Sequence, residues 1–478
     1  MQLHQRIVSA PVDFGAIRSE FGLASDYPPE AVSEARDATD AFADSRIDRT
    51  DIEFVTIDPP GAMDLDQALH IARTPTGFTL NYAIADLGAV IVADSALAAE
   101  SEQRGQTFYL PDGNVPLHPP VLSEGTASLL PGVDRPAALW TIELSEDAVP
   151  LSFSVMRAMV RSRERFDYAQ VQAAADAGTL PPSLVALPEF GRLRIEAGLA
   201  QGAISLRLPS QDVVAEGDRW RLELEPRTAV DDWNEQVSLL TGMCAARIMI
   251  EHKGVGLLRT MPAPPSSAVE SMRRTAAALG VQWPADVPVG RMLAGLDANT
   301  PAALVLMSEA TGLLRGAGYT LLAELAEPTP DRLVHSAIGA PYAHVTAPLR
   351  RLADRFTTEI CLAHCAGVEV PRWVVDGLAG AAETMRRTDG VSSKVGRACV
   401  DLTEATVLAP RIGTEFTAVV LRAATGTRPA EVFVADPPVL ARCEGEPVEG
   451  QTVSVRLVVA DPATRTIGFA YEGTGTKG

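Results

Sequence analysis

The sequence predicts an α+β fold in two parts, a mixed body over 51–408 and a small C-terminal OB-type β-barrel over 409–478, with a short lead-in over 1–50. Strand patterning comes early, helical periodicity fills the middle, and after Pro410 the texture changes to short β-rich runs at close spacing. In the lead-in, "EAVSEARDATDAFADSR" is polar and Ala/Asp-rich, a helical stretch too short for a barrel of its own. "DIEFVTID" sets Ile52 and Phe54 against polar neighbours. "FTLNYAIAD" alternates Phe78, Leu80, Tyr82 and Ile84, and "RTPTG" between the two supplies turn chemistry. "WNEQVSLLTGMCAARIMIEH" and "RRLADRFTTEICLAHC" repeat apolar residues at helical spacing. "GTEFTAVVLRA", "PAEVFVAD", "QTVSVRLVVAD" and "RTIGFAYE" are separated by Gly, Pro and Asp turns, as in a small barrel.

The bulk numbers narrow the function classes. With 478 residues, 46% hydrophobic and 21% charged, the chain has ample core and no disorder bias. No apolar run is long enough to span a bilayer, and "MQLHQRIVSAPVDFG" lacks the apolar stretch of a secretory leader. Five cysteines without framework spacing point to a reducing cytoplasm. Cys361, His364 and Cys365 fall in a helical pattern with no second Cys/His pair at zinc spacing, which reads as packing. A net charge of −20 argues against a basic coat for nonspecific duplex binding, but not against basic groups confined to a channel. A monomer is expected.

The most informative stretch is "FVTIDPPGAMDLDQAL", which gathers Asp58, Asp64 and Asp66. Like charges at that density repel unless cations neutralise them. Pro59, Pro60 and Gly61 bend the chain so that Asp58 can face the 64–66 pair, and convergent carboxylates suit hard Mg²⁺ or Mn²⁺. A solvated acidic loop is the alternative. Interleaved Ile57, Met63, Leu65, Ala68 and Leu69 argue for burial, and the spacing does not fit an EF-hand.

"TIDPPGAMDLDQAL" resembles the signature of the RNase II (RNB) family of hydrolytic 3′→5′ exoribonucleases, a Thr-Ile-Asp, a short loop, then Asp-x-Asp-Asp. "YAIAD", "RGQTFYLPDGNVPLHPPVLSEGTASLLPG", "RERFDY", "GLLRTMP" and "YAHVTAPLRRLADR" agree in order, so the likeness covers about 51–408. The terminal barrel is similar to the family's S1-type RNA-binding domain. The resemblance implies Asp58, Asp64 and Asp66 as metal-site acids, with Asp66 closest to the hydrolytic step. The fourth family acid falls on Gln67, whose amide oxygen can ligate Mg²⁺ but brings no charge. Slowed or Mn²⁺-favouring activity is therefore expected, and Gln67→Asp should raise turnover or shift metal preference. Here 1–50 leaves no room for the family's N-terminal cold-shock barrels, which implies a more open entrance.

"HVTAPLRRLADR" has the marks of a helix start, with Thr346 as N-cap and Pro348 in the first turn. Arg350 and Arg351 would then favour an anion at a helix N-terminus, or else pair with Asp354 and Glu359 on the helix surface. The resemblance implies that Arg350 contacts backbone phosphate, with Ala347 and Leu352 departing from the usual Ser and Tyr. It also implies that Tyr109 and Tyr168 hold the 3′-terminal nucleotides of single-stranded RNA, where rings can stack bases. Arg397 is preserved, while Gly396 stands where a family glutamate contacts RNA. Two other readings stay open: an RNA-binding protein that keeps the scaffold without hydrolysis, and a phosphodiesterase acting on DNA or a nucleotide.

Overall fold

The computed structural model describes residues 10–473, apart from 207–209, 226, 298–299 and 326–328. Five strands, Phe54–Ile57, Gln67–Thr74, Gly77–Ala85, Asp134–Leu144 and Pro150–Phe166, curl into a closed circuit. The 17-residue length of the last one makes closure possible. Its first part pairs antiparallel with Asp134–Leu144, and its last residues pair parallel with Phe54–Ile57.

Period-two alternation assigns each side of this sheet to its own core. Phe78, Leu80, Tyr82 and Ile84 enter one core with Trp140 and the helix Ala229–His252. Ala83 and Ala85 turn to a second core with Phe54, Leu65 and Leu349. The first core also takes in the helix Leu352–Ala366 and the start of the helix Arg372–Leu408.

That last helix runs for 37 residues and joins the two parts of the fold. Val374, Leu378, Ala382 and Met385 pack in the body, whereas Val395, Ala398, Cys399 and Leu408 pack with the barrel. The barrel is closed by five strands, Glu415–Arg422, Ala430–Ala435, Pro438–Glu444, Thr452–Asp461 and Thr466–Ala470. The α+β body and terminal barrel expected from sequence are both present. Near the N-terminus, Phe14 and Ile17 join the barrel-side core. Arg18 makes a forked pair with Asp112, both contacts 2.7 Å, and Glu20 pairs with Arg465 of the barrel. No helix among the described residues is long and apolar enough to cross a membrane.

Gly242 lets the helix Ala229–His252 lie directly on the chain that leads to Arg350 and Arg351. The Ala343 N–H donates to the Gly242 carbonyl at 3.1 Å, and a Cβ on Gly242 would sit 2.1 Å from Tyr342 Cε2. Gly242→Ala is expected to lower the urea unfolding midpoint by the equivalent of about 1–3 kcal/mol, the usual cost of overpacking. An unchanged midpoint would mean that the contact yields freely.

Candidate active site

The aspartates lie on the loop between Phe54–Ile57 and Gln67–Thr74. The Asp58 N–H donates to the Phe166 carbonyl at 3.1 Å, which fixes the start of the loop on the long strand. Leu65 is fully buried and anchors the far end. Its N–H donates to Ser128 Oγ (3.0 Å), and its carbonyl accepts from the Leu129 N–H (3.0 Å). Burying Leu65 carries Asp66 into the interior and leaves Asp64 half-buried. Of the interleaved apolar residues, Ile57, Leu65, Ala68 and Leu69 are buried as expected, but Met63 is 41% exposed. Its sulfur accepts instead from Arg165 at the surface.

Opposite this loop runs Thr346–Arg351, and here the structure corrects the sequence reading. The helix begins at Leu352, not at Thr346–Pro348. Arg351 bridges Gln106 in an antiparallel pair, the Thr107 N–H donates to the Arg350 carbonyl (3.0 Å), and the Leu352 N–H donates to the Gly105 carbonyl (2.9 Å). These pairings to a distant segment draw the backbone out of helical geometry. What remains is a turn pinned at almost every polar group. Gln67 Nε2 donates to the Thr346 carbonyl (2.5 Å), and the Ala347 N–H donates to Asp354 Oδ1 (2.7 Å). The Pro348 carbonyl is hydrogen-bonded to His118, whose burial pushes its pKa down to about 3 and keeps the ring neutral. The Leu349 N–H donates to Asp66 Oδ1 (2.7 Å), and Arg350 Nε pairs with Asp66 Oδ2 (3.2 Å).

Asp66 thus uses one oxygen on the backbone and the other on the guanidinium. Arg350 is engaged through Nε alone among the described residues, and its side chain is 44% exposed. It faces a cleft of about 410 Å³ lined also by Gln67, Tyr168, Asn234, Thr346 and Arg351. Tyr168 opens the helix Tyr168–Ala177, and its hydroxyl accepts from Asn234 Nδ2 (3.3 Å). Tyr109, on the short strand Phe108–Leu110, reaches Asp64 with its phenol.

Burial dominates the electrostatics. It pushes the Asp58 carboxyl up to about 6 against the opposing charge of Arg350, with Asp64 adding to the rise. It pushes Asp66 up to about 7 despite Arg350 and the Leu349 N–H, and it raises Asp64 as well. One arginine does not offset three partly or fully desolvated acids. Among the described residues, no group of three or more His, Cys, Asp or Glu side chains is drawn together closely enough to hold a metal. The three aspartates, expected to meet and hold divalent cations, are therefore not gathered into one ligand cluster among the described residues, and Asp66 is turned to the arginine turn. The donor set still fits a hard cation. Magnesium is commonly held by one or two carboxylates, waters and substrate phosphates, without a protein cage, and under-neutralised Asp58 and Asp64 form such a pair.

The remaining expected residues separate. Arg351 is tied to Asp354 (2.8 Å), the partner expected on the helix surface but fully buried here, and it still lines the cleft. Glu359 pairs elsewhere, with Arg157. Arg397 pairs with Asp401 (2.8 Å) and lines grooves between the long helix and the barrel, away from the aspartates, and Gly396 beside it is exposed. Cys361 is buried as expected, His364 stacks on His252, and Cys365 is exposed rather than packed. Sequence reasoning missed Ser128, His118 and the carbonyl of Thr346. Each acts on the site through hydrogen bonds to partners distant in the chain, which leaves no local pattern.

Comparison with known proteins finds matches to both parts of the fold. The RNB-domain model matches residues 46–364, and the model of the RNase II-type exonuclease C-terminal S1 domain matches 414–472. Ribonuclease R of Chlamydia trachomatis is 27% identical over 364 residues, covering 73% of this chain and 51% of that protein. The chain thus spans about half the length of that relative. Solved structures share the fold, the following two among them. Mycoplasma genitalium RNase R in complex with ribose-methylated single-stranded RNA has a TM-score of 0.82 at 20% identity, covering 96% of this chain and 77% of that one. A yeast pseudonuclease has a TM-score of 0.70 at 15% identity, covering 90% and 55%.

The raised carboxyl of Asp58 gives a pH signature. Folded, it keeps its proton up to about pH 6; unfolded, it ionises near 3.8. Its stabilising contribution is complete in acid and is lost as pH rises through that interval. In the metal-free protein, Asp58→Asn should gain stability relative to wild type between pH 4 and pH 7, by up to about 3 kcal/mol in urea unfolding. Millimolar Mg²⁺ should shrink the difference. A wild-type-minus-variant difference that stays flat with pH would show that Asp58 is not the group titrating.

Proposed function

The chain belongs to the RNB-domain family, and from that premise we propose that it is a hydrolytic exoribonuclease that shortens single-stranded RNA from the 3′ end and releases nucleoside 5′-monophosphates. The observation that supports this best is the bridge made by Asp66, which among the described residues holds Arg350 through Nε alone, in a cleft that Tyr168 also lines. The RNA complex of the Mycoplasma genitalium relative is consistent with the substrate class.

In this reading Asp58 and Asp64 would hold Mg²⁺, or Mn²⁺, which when bound supplies Lewis-acid charge to a phosphoryl oxygen and makes water a better nucleophile. The chain's own groups do the rest. Arg350 presents its Nη pair to the scissile phosphate, where charge-assisted forked contacts are strong. Asp66 keeps that guanidinium aimed by holding Nε, so no reorganisation is needed as charge develops. Tyr168 and Tyr109 flank the last nucleotides and offer ring faces for stacking. Attack by water on phosphorus breaks the bond to the 3′ oxygen of the preceding nucleotide. One 5′-monophosphate leaves, and a new 3′-hydroxyl remains on the shortened strand.

A second reading is favoured by two observations: the amide of Gln67 is committed to a backbone carbonyl, and a pseudonuclease shares the fold. In that reading the cleft binds RNA without cutting it. Incubation of the purified protein with end-labelled poly(A) and Mg²⁺ or Mn²⁺ separates the two. Mononucleotide release is expected, abolished by EDTA and reduced about 10²–10³-fold in Asp66→Asn and Arg350→Ala. Retention of the labelled strand without release would decide for binding alone. A matched DNA strand is expected to be cut more slowly.

A further inference from the structure

Gln67 occupies the position at which the family pattern has an acid, and the structure gives it a different task. Its Nε2 donates to the Thr346 carbonyl at 2.5 Å, across a separation of 279 residues. The neighbouring Asp66 holds Leu349 and Arg350 of the same turn. Consecutive side chains at the point where the aspartate loop enters the strand Gln67–Thr74 therefore grip both ends of the arginine turn, and Gln67 itself lines the cleft beside Arg350. An ionised carboxylate has no proton to share with a carbonyl oxygen. An acid at this position would set two acceptors against each other.

We propose that Gln67 is a positioning residue, a neutral strut that fixes the Thr346–Arg350 turn and thereby aims Arg350. The proposal rests on the reading of this cleft as the hydrolytic site. It reverses the outcome expected from sequence alone, because the family acid placed at position 67 unseats the turn instead of repairing a weak metal ligand.

The test compares the full-length protein with Gln67→Asp, Gln67→Glu and Gln67→Ala. Hydrogen exchange over 342–352 reads the turn directly, without reference to activity. The Ala347 and Leu349 amides should exchange about three- to tenfold faster in all three variants, the range given by loss of one neutral hydrogen bond. The urea midpoint should move little, which a general structural defect would not allow. On end-labelled RNA with Mg²⁺, kcat should fall about 10- to 100-fold in Gln67→Asp and Gln67→Glu, as for a misplaced group, with a smaller change in KM. Faster turnover by Gln67→Asp than by wild type overturns the proposal, as does exchange over 342–352 that none of the variants alters. A wild-type protein that releases no nucleotide would instead refute the proposed function, and the exchange comparison would still decide the strut.

Discussion

The site depends on one carboxylate. Asp66 reaches across 283 residues to the Leu349 N–H and 284 to the Arg350 guanidinium, joining the aspartate loop to the arginine turn. Neither segment has regular secondary structure that would hold it in place. The turn is kept by side chains from three other directions, Gln67, His118 and Asp354. A buried carboxylate without such partners would be costly to keep ionised. The same burial that raises Asp66 toward neutrality therefore makes its two hydrogen bonds count for more than they would in water.

Much of this was legible in the sequence wherever structure follows from local pattern. Phe78, Leu80, Tyr82 and Ile84 share one sheet face because alternation allows nothing else, and the barrel announced itself by turn residues between β-rich runs. The aspartates could be singled out because so much like charge amid apolar residues needs a reason. The helix start moved to Leu352 because a bridge to Gln106 outweighed the capping signals at Thr346 and Pro348. The 37-residue helix was obscured by Gly377, Gly380, Gly390 and Gly396, each unfavourable in a helix interior. Gln67 looked like a defect because its partner is a backbone carbonyl, which carries no residue identity at all.

Net charge proved a poor guide to the local field. In a chain of −20, most arginines near the sheet are matched to acids: Arg46 lies between Asp40 and Asp86, and Arg157 between Asp86 and Glu359. Such buried networks are satisfied internally and have little to offer a ligand. Arg350 differs in giving up a single nitrogen to its acid. Where the arginines are spent matters more for recognition of a phosphate than how many there are.

The helix Arg372–Leu408 constrains how the molecule can change. Its first half is registered against the body and its second half against the barrel, by apolar faces on one continuous rod. Inserting a single residue between Met385 and Val395 would swing the distal face by about 100°. The barrel would follow like a hand turned at the wrist, so lineage drift in this segment is limited to steps close to whole helical turns.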